Sequence, residues 1–221
     1  MVETKKTDTN KYSLRDKSFF NIWRRLFSFL VNHIGYMIRL KLVYRIKVIG
    51  KENIPKTRDF IVAANHLSTL DPPMICGIMD FGVAYMAKKE LFENVFMRWW
   101  LDWLGAFAVD REKLGVSTIK TVKAISDTDW VLGIFPQGTR QEPGLISNVT
   151  KGFASIAKTT KCNILPVGIT GTHEVKRWPF TGRIVVKIGK IIPYSDNVDD
   201  VVQQWGDSVA DLTGFKYISK T

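Results

Sequence analysis

A histidine and an aspartate five positions apart are the residues in this sequence best suited to chemistry. The chain has only three histidines, and His66 comes just after the apolar run 60–64, with Asp71 following it. On a continuous α-helix the two side chains would point about 140° apart, but a turn over residues 67–70 would let them converge. The carboxylate could then fix one imidazole nitrogen while the other accepts a proton. The spacing therefore predicts a general base and the acid that orients it.

Each of the two residues also has a structural interpretation. Asp71 precedes Pro72, and an acidic residue before a proline is a common helix start, so Asp71 could be a helix cap. His66 could be a hydrogen-bonded residue of the core. The other histidines have different settings, His33 in an apolar N-terminal segment and His173 in a predicted loop. Residue types and spacing alone leave these interpretations open.

The histidine and aspartate belong to an ordered set of motifs. Residues 65–71 read NHLSTLD and resemble the NHxxxxD signature of the glycerolipid acyltransferase family. Three further blocks follow in that family's order. Residues 105–111 resemble G-x-x-x-V-x-R, residues 135–140 resemble FPEGTR, and residues 165–169 form an apolar stretch around a proline. The resemblance covers residues 45–190 and indicates the PlsC type, the 1-acylglycerol-3-phosphate acyltransferases.

The resemblance implies a reaction. A fatty acyl chain would move from a thioester of acyl-carrier protein or coenzyme A to the sn-2 hydroxyl of 1-acylglycerol-3-phosphate (lysophosphatidic acid), giving phosphatidic acid. His66 would be the general base and Asp71 its orienting group, with no metal and no further cofactor. Relatives that use glycerol-3-phosphate or another lysolipid share the motifs, and a non-catalytic membrane-binding relative is another alternative.

The resemblance also implies substrate-binding residues. An acceptor phosphate needs cations and hydrogen-bond donors, and the candidates are Lys88, Arg111, Gln137, Gly138, Thr139, Arg140 and Lys151. Position 137 is glutamine where the family usually has glutamate. Glutamine keeps the size and an acceptor oxygen but loses the charge. It can serve if the side chain closes a hydrogen-bond network, whereas activity or substrate choice would change if the charge is needed.

Alternating predicted strands and helices position these motifs. Apolar runs predict strands at residues 42–50, 60–64, 83–87, 106–109, 130–135, 163–169 and 183–188. Helices are predicted at residues 72–79, 91–104, 115–126, 151–160 and 199–212. This alternation predicts an α/β fold with a largely parallel sheet flanked by helices, in which ligands bind beyond the carboxyl ends of the strands.

A basic amphipathic segment precedes this unit. Residues 1–60 carry 14 lysines and arginines against 5 acidic residues. On a helix spanning 19–39, one stripe gathers Phe19, Trp23, Leu26, Phe27, Leu30, Ile34 and Met37. A broad apolar face opposite arginines predicts a helix lying in the headgroup plane of a membrane, and a helix packed on the core is the alternative. We divide the chain into a membrane-docking segment, 1–41, and an acyltransferase domain, 42–221.

Composition and charge bear on how the protein meets a membrane and on whether it binds nucleic acid. The longest uncharged stretch, residues 26–38, has 13 residues, whereas a spanning helix needs about 20. We expect a monotopic or peripheral protein on the cytoplasmic face, where the two cysteines would stay reduced. The net charge of +11 could attract nucleic acid, but no nucleic-acid-binding motif is present and this partner is not expected. The aromatic stretch 93–104 is either core or a second membrane contact.

Overall fold

The computed structural model describes residues 12–37, 45–109, 115–174 and 183–219. Its α-helices are α1 (Ile22–Phe29), α2 (Asp71–Ile78), α3 (Val95–Trp103), α4 (Val116–Ser126), α5 (Gly152–Thr160) and α6 (Val198–Thr213). A π-helical segment, Leu30–Met37, continues α1, and short 3₁₀ helices occur at Lys51–Asn53 and Lys89–Phe92. The strands are β1 (Lys47–Ile49), β2 (Phe60–Ala64), β3 (Gly82–Lys88), β4 (Phe107–Val109), β5 (Trp130–Ile134), β6 (Leu145–Ile146), β7 (Asn163–Thr170), β8 (Val185–Ile188) and β9 (Lys216–Tyr217).

Seven strands form one sheet in the order β1-β8-β7-β2-β5-β3-β4. The neighbours from β7 to β4 are all parallel, whereas β8 runs antiparallel to β7 and β1 runs parallel to β8. β6 and β9 form a separate parallel pair. The predicted α/β class with a largely parallel sheet is confirmed.

The core lies on both faces of this sheet. The central strand β2 is buried at every position because helices cover both of its faces. On one side, Met74 and Ile75 of α2 fill the core. On the other side, Phe153 of α5 packs against Trp205 of α6. The indole Nε1 of Trp205 donates to the carbonyl of Ala63 at 3.0 Å, so even this buried donor is paired.

The N-terminal segment differs from its prediction at the start of its helix. α1 begins at Ile22 rather than residue 19, because the side chain of Asn21 accepts from the backbone N–H of Arg24 at 3.0 Å and caps the helix. Phe19 lies in the core instead of on the outer stripe, and its neighbour Phe20 lies in the core as well. The predicted strand 42–50 is represented only by β1, and residues 38–44 lie outside the described ranges.

The aromatic stretch 91–104 is interrupted near its start. A 3₁₀ helix ends at Phe92, and α3 then begins after Asn94, whose side chain accepts from the backbone N–H of Met97 at 3.0 Å. Arg15 forms an ion pair with Asp102 in α3. This pair fastens the segment before α1 to α3.

Candidate active site

Two neighbouring parallel strands end beside the predicted general base. β2 and β5 pair in parallel, so Asn65 and Phe135, which follow them, lie at the same edge of the sheet. His66 comes next after Asn65, and its Nδ1 lies 2.8 Å from Oδ2 of Asp71. The chain turns at residues 69–70, where the backbone N–H of Asp71 donates to the carbonyl of Ser68 at 3.1 Å, and this turn brings the two side chains together.

Asp71 is fully buried and turned back toward the residues before it. Besides its contact with His66, its Oδ2 accepts from the backbone N–H groups of Leu67 and Ser68, at 2.7 and 2.8 Å. Leu70 occupies the cap position of α2 and no side chain caps it, so the helix-cap interpretation of Asp71 is wrong. Because a carboxylate only accepts hydrogen bonds, Nδ1 of the imidazole is assigned the hydrogen and Nε2 is the basic nitrogen.

The asparagine before the base joins two strands. Nδ2 of Asn65 donates to the carbonyl of Ile169 at 2.9 Å, and the backbone N–H of Ile169 donates to Oδ1 at 2.7 Å. Both bonds are buried. They hold the end of β2 against β7 and fix the backbone that enters His66.

A loop after β5 is held against this backbone by Gln137. Its buried side chain accepts at Oε1 from the backbone N–H of His66, at 3.1 Å, and donates from Nε2 to the carbonyl of Ser147, at 3.3 Å. The backbone N–H of Gln141 donates to the carbonyl of His66 at 2.9 Å. The amide of Gln137 thus closes a hydrogen-bond network among three segments, which an uncharged side chain can do.

The next two residues, Gly138 and Thr139, differ in whether their hydrogen-bond donor remains available for a substrate. Gly138 has a φ of +71°, in the left-handed region that glycine adopts without strain. Its backbone N–H donates to the carbonyl of Phe135 at 2.8 Å and closes a turn. Oγ1 of Thr139 accepts from Nε2 of Gln141 at 3.0 Å. Of the two donors predicted for substrate, the N–H of Gly138 is used within the loop, while the hydroxyl hydrogen of Thr139 can still be donated.

A largely apolar cavity of about 450 Å³ opens beside the predicted base. Its lining residues are His66, Tyr85, Met86, Val109, Gly133, Ile134, Phe135, Gly138, Thr139, Thr150, Gly152 and Phe153. An apolar space with a few polar groups at one place is typical of a site for a small ligand.

The predicted cationic residues take different positions. Lys88 ends β3 and Arg140 follows β5, and both are exposed at the edge of the sheet where the strands end. Neither forms an ion pair with any residue in the described ranges. Lys151 is already paired, because its Nζ lies 2.6 Å from Oδ1 of Asp199, and it does not line the cavity. Arg111 lies outside the described residues.

Two aromatic residues to which the sequence assigned no role lie behind the base. The ring of His66 stacks on Phe135 with centroids 4.1 Å apart, and Phe135 stacks on Tyr85 at 5.3 Å. Burial raises the pKa of Tyr85, and nearby Cys76 and Asp71 add to this effect. Burial also raises the pKa of the Cys76 thiol to about 12, so it remains protonated. The position of Phe135 at the start of a motif could have indicated it, whereas nothing local marks Tyr85.

Away from the cavity, α1 and the π-helical segment turn their polar residues toward the protein. Ser28 and Asn32 are buried, and Nδ2 of Asn32 donates to the carbonyl of Ser28 at 2.8 Å. Trp23 is 70% exposed, and Leu26 and Leu30 are about half exposed. This orientation is the reverse of that expected for an amphipathic helix packed on a core.

The exposed side of α3 contributes further apolar side chains next to those of α1. No residue of α3 is buried, although Leu101 packs against a small core cluster that contains Phe92. Phe27 packs between the two helices, with its ring centroid 5.3 Å from Trp103 and 6.3 Å from Trp99. Phe96 is 84% exposed. The apolar surface of these two helices consists of the exposed residues Trp23, Leu26, Leu30, Phe96 and Trp99.

The described ranges lack both a membrane-spanning helix and a cluster of metal-binding side chains. No helix there has both the length and the apolar character needed to cross a membrane. Those residues also contain no group of three histidine, cysteine, aspartate or glutamate side chains that could hold a metal ion.

Comparison with known proteins gives consistent results. The 1-acyl-sn-glycerol-3-phosphate acyltransferase of Bacillus subtilis is 31% identical over 172 residues, covering 77% of this chain and 84% of that protein. The protein of the same name from Streptococcus pneumoniae is 34% identical over 148 residues, covering 66% of this chain and 54% of that protein. The crystal structure of the lysophosphatidic acid acyltransferase PlsC from Thermotoga maritima superposes with a TM-score of 0.64 and 27% identity, covering 82% of this chain and 78% of that one.

A family model supports the same assignment. The model described as Acyltransferase matches residues 45–170, more than half of the chain. That range contains the histidine, the aspartate, the loop after β5 and most of the strands whose ends surround them. The chain therefore belongs to the acyltransferase family.

Proposed function

We propose that the protein transfers a fatty acyl chain from a thioester to the sn-2 hydroxyl of 1-acylglycerol-3-phosphate and so makes phosphatidic acid. The observation that carries the proposal is the position of His66. Asp71 engages one nitrogen of its ring, while the ring also lines an apolar cavity. The relatives from Bacillus subtilis and Streptococcus pneumoniae bear the name of this reaction.

The chemistry follows from the two ring nitrogens. Nε2 of His66 takes the proton of the acceptor hydroxyl, and the oxygen attacks the thioester carbonyl. Asp71 stabilises the imidazolium that forms. When the tetrahedral intermediate collapses, the C–S bond breaks and the imidazolium returns its proton to the leaving thiolate. The products are phosphatidic acid and a free thiol, and His66 is neutral again.

The direct test uses purified protein and measures thiol release. Lysophosphatidic acid should be acylated with either an acyl-carrier protein thioester or a coenzyme A thioester, and the two donors are compared side by side. Glycerol-3-phosphate and lysophosphatidylcholine serve as competing acceptors. Faster turnover of one of these would reassign the substrate. No turnover with any donor and acceptor would favour the non-catalytic alternative.

Arg140 is proposed to bind the acceptor phosphate, together with Lys88 and Arg111. Arg140→Ala should raise the KM for lysophosphatidic acid by about 10–150-fold, because a charge-assisted hydrogen bond contributes about 1.5–3 kcal/mol. Its exposed side chain has no ion-pair partner among the described residues, so the fold should tolerate the change. Steady-state kinetics with lysophosphatidic acid give the measurement.

Two controls separate phosphate binding from a structural role. Monoacylglycerol, which has no phosphate, should be used equally poorly by the parent protein and by Arg140→Ala. Arg58→Ala removes an arginine near the start of β2, at the opposite edge of the sheet, and should leave the KM unchanged. An equal loss with both acceptors would mean that Arg140 supports the fold.

Membrane docking is proposed for the apolar surface. Aromatic and aliphatic side chains on two adjacent helices point away from the core, and such a face gains free energy by entering the headgroup region. Docking there would let a lipid substrate approach the cavity from the bilayer. We propose the cytoplasmic face, consistent with the free thiols of Cys76 and Cys162.

The triple variant Trp23→Ser, Leu30→Ser and Phe96→Ser should weaken binding to anionic vesicles on the order of 100-fold, because it removes three large apolar side chains. Co-sedimentation at low and high salt gives the measurement. Salt should weaken the parent protein's binding only in part. Deletion of residues 1–40 is a poorer test, since it also removes Phe19 and Phe20 from the core.

A matched control replaces three exposed apolar residues elsewhere. Val116, Ile191 and Ile218 are all exposed, and their triple serine variant should sediment like the parent protein. Undiminished binding of the first triple variant would contradict docking through the apolar surface. Equal losses in both triple variants would indicate nonspecific adhesion.

A further inference from the structure

Three aromatic rings form a continuous stack beside the site cavity. The imidazole of His66 lies 4.1 Å from the ring of Phe135, and the two planes differ by 19°. Phe135 in turn lies 5.3 Å from the ring of Tyr85, with planes 13° apart. The base is therefore held on its edge by Asp71 and on one face by an aromatic ring.

The sheet creates the space for this stack. Tyr85 in β3 pairs with Gly133 in β5, and a Cβ atom on that glycine would lie 2.6 Å from the tyrosine ring. The absence of a side chain at position 133 therefore lets Tyr85 lie against Phe135. The backbone directly after Phe135 is held in place, because Thr150 donates to the carbonyl of Pro136 from both its backbone N–H and its hydroxyl, each at 3.0 Å.

The contact has a chemical consequence because the ring of the base changes charge during the reaction. Imidazole is neutral before it takes the hydroxyl proton and cationic afterwards. The face of an aromatic ring attracts a cation, and it does so more strongly when water is excluded. An interaction that strengthens as the proton moves lowers the barrier to the transfer.

We propose that Phe135 is a positioning residue that fixes the plane of His66 and stabilises its imidazolium form during acyl transfer, and that Tyr85 holds Phe135 in place. This inference rests on the general-base role proposed above for His66. Nε2 is then the side of the ring left for the substrate, since Asp71 occupies Nδ1 and Phe135 covers one face.

Other groups around the stack do not account for the expected effect. Asp71 is the carboxylate in direct contact with the base, and the variants at positions 81, 85 and 135 that test this inference all retain it. Tyr85, the last ring of the stack, and the nearby Cys76 stay protonated at neutral pH, because burial raises the pKa of each. Lys88 and Arg140 are exposed cations at the same edge of the sheet.

The test variant is Phe135→Leu, which keeps an apolar side chain but removes the aromatic face. The value of kcat should fall by about 2–30-fold with little change in KM, since a cation–π contact is of that size. The imidazolium loses support, so the midpoint of the His66 titration should move to lower pH by about 0.4–1.5 units. The acid limb of the pH–rate profile should move with it.

The titration is measured by NMR on full-length, histidine-labelled protein in detergent. The chain has three histidines, and the His66 signal is assigned as the one missing from His66→Ala. Phe135→Tyr keeps the aromatic face and should restore both kcat and the midpoint. Phe81→Leu removes a buried ring that packs edge to face against Phe60, away from the base, and it should change neither kcat nor the midpoint.

The outcomes separate this inference from the proposed function. An unmoved midpoint in folded Phe135→Leu, together with an inactive His66→Ala, would overturn the inference and leave the function standing. A shifted midpoint with full activity in His66→Ala would overturn the general-base role instead. If Phe135→Leu does not fold, Tyr85→Leu provides the second test, with a smaller shift in the same direction expected and an unmoved midpoint counting against the inference.

Discussion

Replacing His66 with alanine should lower the rate of acyl transfer by about 10²–10⁴-fold, the usual contribution of a positioned general base. No other described side chain combines a basic nitrogen with a place in the lining of the site cavity. The free energy of unfolding should fall by only about 1–2 kcal/mol. Asp71 would keep its bonds from Leu67 and Ser68, so its carboxylate is not left without partners.

His173→Ala is the matched control for this change. His173 lies beyond the end of β7, partly exposed and 3.5 Å from a carboxylate oxygen of Glu174, and it does not line the cavity. Its removal should leave turnover close to that of the parent protein. Thiol release and thermal unfolding are measured on both variants. Near-normal turnover in folded His66→Ala would rule out the assignment of the base.

The change Asp71→Asn should reduce kcat by about 10²-fold or more while leaving the KM for lysophosphatidic acid almost unchanged. If the amide oxygen replaces Oδ2, the amide nitrogen takes the place of Oδ1. Oδ1 of Asp71 is buried and has no hydrogen-bond partner among the described residues. If the amide turns over, its N–H groups face those of Leu67 and Ser68, and Nδ1 of His66 loses its acceptor.

Asp207→Asn makes the same exchange on the exposed face of α6, where the carboxylate accepts only from the side chain of Gln203 among the described residues. It should have normal kinetics and stability. Kinetics and unfolding are again compared for the two variants. A loss of stability in Asp71→Asn with no loss of kcat in the folded fraction would make Asp71 a structural residue alone.

Local patterns were sufficient to predict the centre of the site. The convergence of His66 and Asp71 depends on a turn of four residues, and both ends of that turn are visible in the sequence. The strand 60–64 was equally visible, because a strand buried on both faces reads as a continuous apolar run. The start of α1 was misplaced because a periodic stripe extends through Phe19, whereas the actual boundary depends on the cap at Asn21.

Features that depend on distant contacts could not be predicted in this way. The stack of His66, Phe135 and Tyr85 requires β3 and β5 to be neighbours in a particular register. The side chain of Gln137 bonds to the backbone N–H of His66 and to the backbone carbonyl of Ser147, and residue types do not indicate which backbone groups a side chain will meet. Lys151 looked available for phosphate, but a helix from the far end of the chain brings Asp199 beside it.

Membrane docking of the outward apolar side of α1, as proposed above, would couple the stability of the fold to the protein's location. In water, the native state leaves Trp23 and its neighbours exposed, so their burial does not contribute to stability there. A lipid surface that binds this side binds the folded chain in preference to the unfolded one, and by mass action it shifts the equilibrium toward the folded state. Under the docking proposed above, the membrane would act as a stabilising ligand of the protein.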